Sequence, residues 1–265
     1  MWPLLERTVR YSRAAYIDLR LFLTGKADPE LPPLRLRDVG TGDFRAMGEH
    51  LLELTTGRGA VGPESRVLDI GCGVGRLALP LTRLITTGQY AGFDVSAPAI
   101  RWCRRNITRR HPNFAFRHIA LRNSDYSFTG RSAAQFVFPY PDASFDCVVA
   151  FSVFTHLAFD EMANYIAQSH RVLAPGGRLV ATFFLLNEKS ETAQRTVPGV
   201  QQFPHDRGPV RIASESNPAL AVAIREHALR ELLQRTGFSK VVIEPGAWYG
   251  TQGTPTFQDL VLCVR

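Results

Sequence analysis

Residues 66–76 read RVLDIGCGVGR, and this stretch decides the fold of the chain. Its first half is typical of a buried strand, and its three glycines predict a tight turn before a helix. Glycine lets a ligand approach the backbone closely, and open α/β sheets bind their ligands at the carboxyl ends of the strands. The stretch therefore predicts a small-molecule site beside the glycine turn.

A second predicted strand, residues 90–93, ends at Asp94, which follows Asp69 by 25 residues. A carboxylate at the end of this strand can accept hydrogen bonds from both hydroxyls of a ribose. The glycine turn and Asp94 together indicate a nucleoside-like ligand.

The amino-acid composition limits the classes of protein to which this chain can belong. The 265 residues are 45% hydrophobic, and no apolar run approaches the roughly 20 residues that span a bilayer. The first residues lack the long apolar core of a signal peptide, so a cytoplasmic location is expected. The cysteines are scattered and form no C-x-x-C pair, so we expect buried free thiols and no metal site. They are Cys72, Cys103, Cys147 and Cys263.

The formal net charge of +7 allows an acidic partner such as nucleic acid or anionic lipid. Part of this charge lies in one predicted helix, residues 99–110, which carries five arginines. A solvated helix face is the simpler interpretation. Only Trp102 interleaves with those arginines, so the pattern does not indicate a stacking platform for single strands.

Residues 1–40 form a predicted appendage to the main domain, residues 41–265. The apolar spacing over residues 4–23 predicts a helix, and three prolines then form a linker. This helix can pack on the main domain, cap the site, dock on a partner or make peripheral contact with an anionic membrane. Packing on the main domain is the simplest of these.

The main domain alternates strands and helices, which predicts an α/β fold with a mostly parallel sheet. No helix is predicted between the last two strands, so the last strand should run antiparallel. Residues 187–217 show weak periodicity and are predicted to form a lid or substrate loop. Predicted strands cover 66–70, 90–93, 113–118, 145–151, 178–185, 240–244 and 258–264; predicted helices cover 42–56, 75–86, 99–110, 160–173 and 218–235.

These features together resemble the class I methyltransferases that use S-adenosylmethionine. VLDIGCGVGR at residues 67–76 is similar to the first motif of that family. RVLAPGG at 171–177 resembles its turn before strand five, and SVFTHL at 152–157 resembles a phrase of its small-molecule branch. The resemblance covers about residues 42–186. It implies a Rossmann-like, seven-stranded, mostly parallel sheet with an antiparallel last strand and helices on both faces.

The resemblance also implies roles for matching residues. The backbone of the glycine turn would face the methionine part of the cofactor, and Asp69 would hold the turn and help bind the amino group. Asp94 would accept from the ribose hydroxyls. One departure is Ala120, which stands where the family often has an acid for the adenine amino group. Backbone groups there, or Asn123, would replace it. The implied cofactor-binding residues are Asp69, Gly71, Cys72, Gly73, Asp94, Val95, Ala120, Leu121, Phe151 and Ser152.

The expected reaction is methyl transfer to a small-molecule acceptor, with a hydroxyl as the expected acceptor group. His156 is the candidate general base, because imidazole titrates near neutral pH and this phrase ends the fourth strand at the ligand edge. A structural or helix-capping role for His156 stays open.

Three alternatives were weighed against this function. A dinucleotide-dependent dehydrogenase is disfavoured, because Arg76 stands where its fingerprint needs a third glycine. A nucleic-acid methyltransferase fits the basic charge, but the Asn/Asp-Pro-Pro-aromatic phrase of similar amino-directed enzymes is absent after the fourth strand. A non-catalytic protein that only binds S-adenosylmethionine also stays open.

Overall fold

The structure, a computed structural model, describes residues 2–37, 42–121 and 132–265, with side chains from residue 11 onward. In these ranges ten strands form one sheet, surrounded by helices. The strands are β1 Arg66–Ile70, β2 Gln89–Asp94, β3 Phe114–His118, β4 Phe145–Ala150, β5 Leu173–Leu186, β6 His205–Arg207, β7 Val210–Ile212, β8 Val222–Arg225, β9 Lys240–Glu244 and β10 Asp259–Val264. The helices are α1 Trp2–Leu23, α2 Phe44–Gly59, α3 Ala78–Leu81, α4 Ala97–Cys103, α5 Phe159–Val172, α6 Glu188–Thr196 and α7 Glu226–Thr236.

Seven of these strands form the expected sheet, in the order β3-β2-β1-β4-β5-β10-β9. The first five are parallel neighbours. The last strand, β10, lies antiparallel between β5 and β9. The predicted mostly parallel sheet with an antiparallel last strand is confirmed.

Alternate side chains of the central strands enter two separate cores. Leu68 and Val148 belong to one cluster, which α5 and α7 cover. Val67 and Val149 belong to the other, which α2, α3 and α4 cover. A strand points successive side chains to opposite faces, so a centre strand that is apolar throughout needs helices on both sides. The predicted layers are confirmed.

The chain beyond β5 differs from the sequence-based prediction. The predicted loop over residues 187–217 contains α6 and the β6–β7 hairpin. The helix predicted over residues 218–235 begins only at Glu226, because the four residues before it form β8. β8 pairs in parallel with Phe184–Leu186, the end of β5. This pairing with a distant strand overrides the local helical pattern.

Two other helices differ in extent from their predictions. The helix expected over residues 75–86 is shortened to α3. The arginine-rich helix begins at Ala97, with the Ser96 hydroxyl accepting from the Ala99 N–H, and continues into a π-helical turn over Arg104–Thr108. Among the helices of the described ranges, none combines the length and apolarity that crossing a bilayer requires.

The N-terminal segment packs against a cluster that includes one residue of the glycine turn. On α1, the Asp18 carboxylate accepts from the backbone N–H of Leu34 at 2.6 Å and of Arg35 at 3.1 Å. Leu36, in the same short turn, packs into a small cluster with Val74 of the glycine turn. This arrangement puts α1 on the same side of the molecule as the predicted ligand site.

Candidate functional site

The glycine turn after β1 is tied to the end of β2. The backbone N–H groups of Gly71 and Cys72 both donate to the Phe93 carbonyl, at 2.9 and 3.1 Å. Gly71, Gly73 and Gly75 all have positive φ, at 69°, 52° and 75°. Glycine adopts this region without the steric cost that a Cβ would add. The turn therefore brings the ends of two neighbouring strands together, as predicted.

The first two glycines of the turn differ in what surrounds them. A Cβ on Gly71 would lie 2.6 Å from Cγ2 of Val153, which follows β4. A Cβ on Gly73 would meet nothing within 4 Å. The turn thus touches the end of β4 on one side and presents open backbone on the other, where a ligand can lie against it.

Asp94 holds the turn with both of its carboxylate oxygens. Oδ2 accepts from the Gly73 N–H at 2.9 Å, and Oδ1 accepts from the Ser96 N–H at 2.7 Å. The side chain is only half-buried. The carboxylate therefore ties the end of β2 to the glycine turn and to the start of α4.

Asp69 lies beneath the turn and is 4% exposed. Its Oδ2 accepts from the buried Tyr90 hydroxyl at 2.6 Å. Burial raises the pKa of Asp69 to about 7 and the neighbouring charge of Asp94 acts in the same direction, while the Tyr90 hydrogen bond opposes both. Sequence reasoning singled out Asp69 but not Tyr90, which no motif marks.

Cys72 contributes backbone rather than a reactive thiol. Its Sγ would lie 2.8 Å from a Cβ on Gly92, so the thiol occupies space that the glycine leaves free in β2. Burial raises its pKa well above the ordinary thiol value, which keeps it protonated at neutral pH. All four cysteines are buried and free.

The predicted adenine end of the site is only partly described. Val95 is half-buried, and its carbonyl lies 3.2 Å from Nε2 of His118. Ala120 is exposed, whereas Leu121 is buried and its N–H donates to the Ile119 carbonyl at 3.1 Å. The Leu121 N–H is therefore already used within the chain. Asn123 lies outside the described residues.

The end of β4 carries backbone strain and a polar network. Ser152, which follows the half-buried Phe151, has φ of 56°, a conformation rarely adopted outside glycine. Its N–H donates to Oγ1 of Thr182 at 2.8 Å, and its hydroxyl lies 3.1 Å from Oε1 of Gln258. Thr182 also donates to Gln258 at 2.6 Å. The bonds fix the turn that the resemblance places near the sulfonium.

Sequence reasoning missed Thr182 and Gln258. Their partners are 30 and 106 residues away in the chain, and neither residue stands in a motif. Only the pairing of β10 with β5 brings them together. The signal available in the sequence was the position of Gln258 directly before the last strand.

His156 lies in a short 3-10 helix, Phe154–His156, that directly follows this turn. Its Nδ1 is 2.8 Å from the Ala219 carbonyl, in the segment that leads into β8. A carbonyl can only accept, so Nδ1 carries the proton. In the neutral ring Nε2 then has a free lone pair. This contact would hold a general base in one tautomer. A structural histidine would make the same Nδ1 contact, so the contact alone does not distinguish the two roles.

Two polar side chains on the later strands and loops, those of Trp248 and Asp206, have structural partners. Trp248 is buried and its Nε1–H donates to Oδ2 of Asp259 at 2.7 Å, inside an aromatic cluster with Phe184. Asp206 pairs with Arg225 on the β6–β8 extension. Within the described ranges, no group of three or more His, Cys, Asp or Glu side chains is arranged to hold a metal ion.

Comparison with known proteins identifies a methyltransferase domain in this part of the chain. Residues 68–181 match a family described as a methyltransferase domain. The chain is 29% identical over 168 residues to a ubiquinone biosynthesis O-methyltransferase of Bradyrhizobium sp. (strain ORS 278), covering 63% of this chain and 57% of that protein. It is 32% identical over 119 residues to a demethylmenaquinone methyltransferase of Thermus thermophilus, covering 45% and 47%. The alignments therefore span less than two thirds of either relative's length.

Among solved structures, the PH0226 protein of Pyrococcus horikoshii matches with a TM-score of 0.57 and 18% identity, over 86% of this chain and 93% of that one. This likeness concerns the fold alone. The sequence match to the methyltransferase domain, in contrast, covers the glycine turn and the strands around it. Together they show that residues 68–181 carry a methyltransferase domain, in a fold shared with that solved structure.

Proposed function

We propose that this protein transfers a methyl group from S-adenosylmethionine to a hydroxyl of a small molecule. The observation that supports the proposal is the junction of the glycine turn, Asp94 and the end of β4, the strand that His156 follows in the chain. The relatives named above include an O-methyltransferase and a quinone-pathway methyltransferase, which supports a small-molecule acceptor.

The residues of the site fit S-adenosylmethionine. Gly71 is exposed and Gly73 has open space beside it, so the turn offers backbone surface to the methionine part. Asp94 stands half-buried at the end of β2, beside the glycine turn whose Gly73 N–H it accepts, and its carboxylate would accept from the ribose hydroxyls. Val95 would cover the adenine. When bound, the cofactor supplies a methyl group on a sulfonium, which is already an excellent leaving group.

The protein's task in such a reaction is alignment and control of one proton. Holding the acceptor against the methyl group makes a bimolecular step effectively unimolecular. The strained turn at Ser152 is held by Thr182 and Gln258, which fixes the site's floor. His156 would accept the hydroxyl proton at Nε2, since the Ala219 carbonyl keeps the other proton on Nδ1. A base in this position contributes roughly 10²–10⁴-fold to rate.

The five arginines of the predicted helix over residues 99–110 are exposed, on α4 and the residues that follow it. One of them, Arg104, donates from Nε to the Phe116 carbonyl of β3 at 2.8 Å. They form the solvated face that the simpler interpretation expected. Nothing in the structure favours nucleic acid over a small molecule.

Cofactor binding is tested by calorimetry with S-adenosylmethionine. Asp94→Ala should weaken binding about tenfold or more, because two hydrogen bonds to a charged group are lost. The matched control is Glu53→Ala, which removes an exposed carboxylate on the surface of α2 and should leave affinity unchanged. Absence of binding to the wild-type chain, or equal binding by Asp94→Ala, would overturn the cofactor assignment.

Catalysis is tested with a panel of phenols, catechols and sugars, with the methylated product identified by mass spectrometry. His156→Asn keeps an N–H donor near the Nδ1 position but has no base, so kcat should fall about 10²-fold or more while cofactor affinity stays the same. Unchanged kcat would remove His156 from the mechanism. Cofactor binding without transfer to any acceptor would instead indicate a binding module.

A further inference from the structure

The helix α1 exposes a row of large apolar side chains. The exposed fractions are 53% for Tyr11, 67% for Tyr16, 55% for Leu19, 74% for Phe22 and 73% for Leu23. Isolated exposed apolar residues are common, but a contiguous group of this size on one element marks an interaction surface. We call these five side chains the outer face of α1.

Helical geometry places the outer face on one side. At about 100° per residue, its five side chains fall within an arc of roughly 140°. Ala14, Ile17, Asp18 and Leu21 project to the other side and are all half-buried. The helix therefore packs by its less apolar side and leaves its more apolar side uncovered, which is the reverse of a helix packed on a core.

The outer face has a fixed position relative to the main domain. Asp18, on the inner side of α1, binds the backbone at Leu34 and accepts from Nη1 of Arg35 at 3.0 Å. The same turn packs through Leu36 against the small cluster that contains Val74 of the glycine turn. The inner side of α1 is thus connected through this turn to the main domain, and the outer face points away from that contact.

Charge distinguishes between the possible occupants. Arg13 and Arg20 are exposed and border the outer face. Asp18 is the single acidic side chain among residues 11–23, and it is already engaged with Arg35. A second copy pairing through this face would bring arginines together without opposing carboxylates from residues 11–23 other than Asp18. An anionic surface would supply the missing counter-charge.

We propose that the outer face of α1 binds the surface of an anionic lipid bilayer, with the helix lying in the interface. Apolar side chains enter the boundary between headgroups and acyl chains, tyrosines remain at the headgroups, and arginines meet the lipid phosphates. The net charge of +7 favours the same partner. The inference does not rest on the proposed methyl transfer.

Vesicle flotation of the full chain, without cofactor or acceptor, tests the proposal. We expect binding to vesicles of phosphatidylglycerol and phosphatidylcholine in equal parts, and much weaker binding to phosphatidylcholine alone. The double variant Leu19→Ser with Phe22→Ser should lower the partition coefficient about tenfold or more, since the apolar part of binding scales with buried area. Arg13→Gln with Arg20→Gln should abolish the preference for anionic vesicles.

The matched control is Val137→Ser, which removes an exposed apolar side chain, 64% accessible, far from α1 in the chain. It should bind vesicles as wild type does. Circular dichroism and calorimetry with S-adenosylmethionine check that each variant is folded, independently of lipid. Equal flotation of all variants, no flotation of wild type, or a dimer that the Leu19 and Phe22 substitutions disperse would overturn the proposal.

Discussion

Replacing the buried acid under the glycine turn should change how stability depends on pH. Asp69 is 4% exposed, and its carboxyl group has the Tyr90 hydroxyl as a hydrogen-bond donor at 2.6 Å. Burial raises its pKa from the ordinary 3.8 to about 7, and the negative charge of Asp94 contributes in the same direction. In the folded, ligand-free protein Asp69 therefore holds a proton that the unfolded chain releases at lower pH.

The sign follows from proton linkage. Between about pH 4 and pH 7 the folded state binds more protons than the unfolded state, so the free energy of unfolding falls as pH rises. A pKa change from 3.8 to about 7 corresponds to a loss of roughly 4 kcal/mol across that window, at 1.36 kcal/mol per unit. Above about pH 7 both states are ionised, and the contribution of Asp69 becomes constant.

The test compares wild type with Asp69→Asn by urea denaturation without ligand at several pH values. The amide has nearly the same shape, can still accept from Tyr90 and does not titrate. The variant should match wild type near pH 4 and become more stable by up to roughly 4 kcal/mol near pH 8. Glu53→Gln, an exposed control, should show no such trend. A difference that stays constant with pH would refute the reasoning.

Three further substitutions test the packing in and beyond the glycine turn by chemical denaturation. Gly71→Ala should lower the free energy of unfolding by about 1–3 kcal/mol, because φ is 69° and the new Cβ would lie 2.6 Å from Val153. Gly73→Ala, with φ of 52° and open space, should cost less, and equal losses would contradict the contact argument. Trp248→Phe removes one of the donors to the buried carboxylate of Asp259 and should cost about 1–3 kcal/mol. A smaller loss would mean that this bond contributes little.

The cofactor half of the fold was predictable because its signals are local. The apolar run of β1 ends at glycines, which adopt the positive φ values of a tight turn. The next strand, β2, ends directly at Asp94. Strongly apolar strands such as β4 lie at the centre of the sheet, where both faces are buried. In each case the residues that define the element are within a few positions of one another.

The part of the chain beyond β5 was not predictable in the same way. β6, β7 and β8 are three or four residues long, too short for alternation to be distinguished from a helical pattern. β8 runs directly into α7, so the two were merged into one helix in the prediction. What makes β8 a strand is its partner at the end of β5, 39 residues earlier at Phe184 and Ala223. Pairing at this distance leaves no local signature.

The hydrogen bonds of the site likewise divide into local bonds, which the sequence suggests, and bonds that depend on the pairing of distant strands. The bonds from Asp94 reach residues of its own turn and of the motif before it. The Tyr90–Asp69 pair depends on the parallel register that sets Asp69 beside Gly92, two residues from Tyr90 on the same face. Register follows from the whole sheet, so this pair becomes evident only in the structure.

The cost of Asp69 to stability supports a role in ligand binding. A neutral side chain at this position would avoid the loss of roughly 4 kcal/mol that an acid incurs as pH rises to about 7. Tyr90 offers one hydrogen bond, which an amide would also accept, so this bond alone does not require a carboxylate. A positively charged group bound nearby would favour the ionised form and offset the cost. The amino group of S-adenosylmethionine is such a group, so a carboxylate that weakens the empty protein is what the proposed cofactor would need.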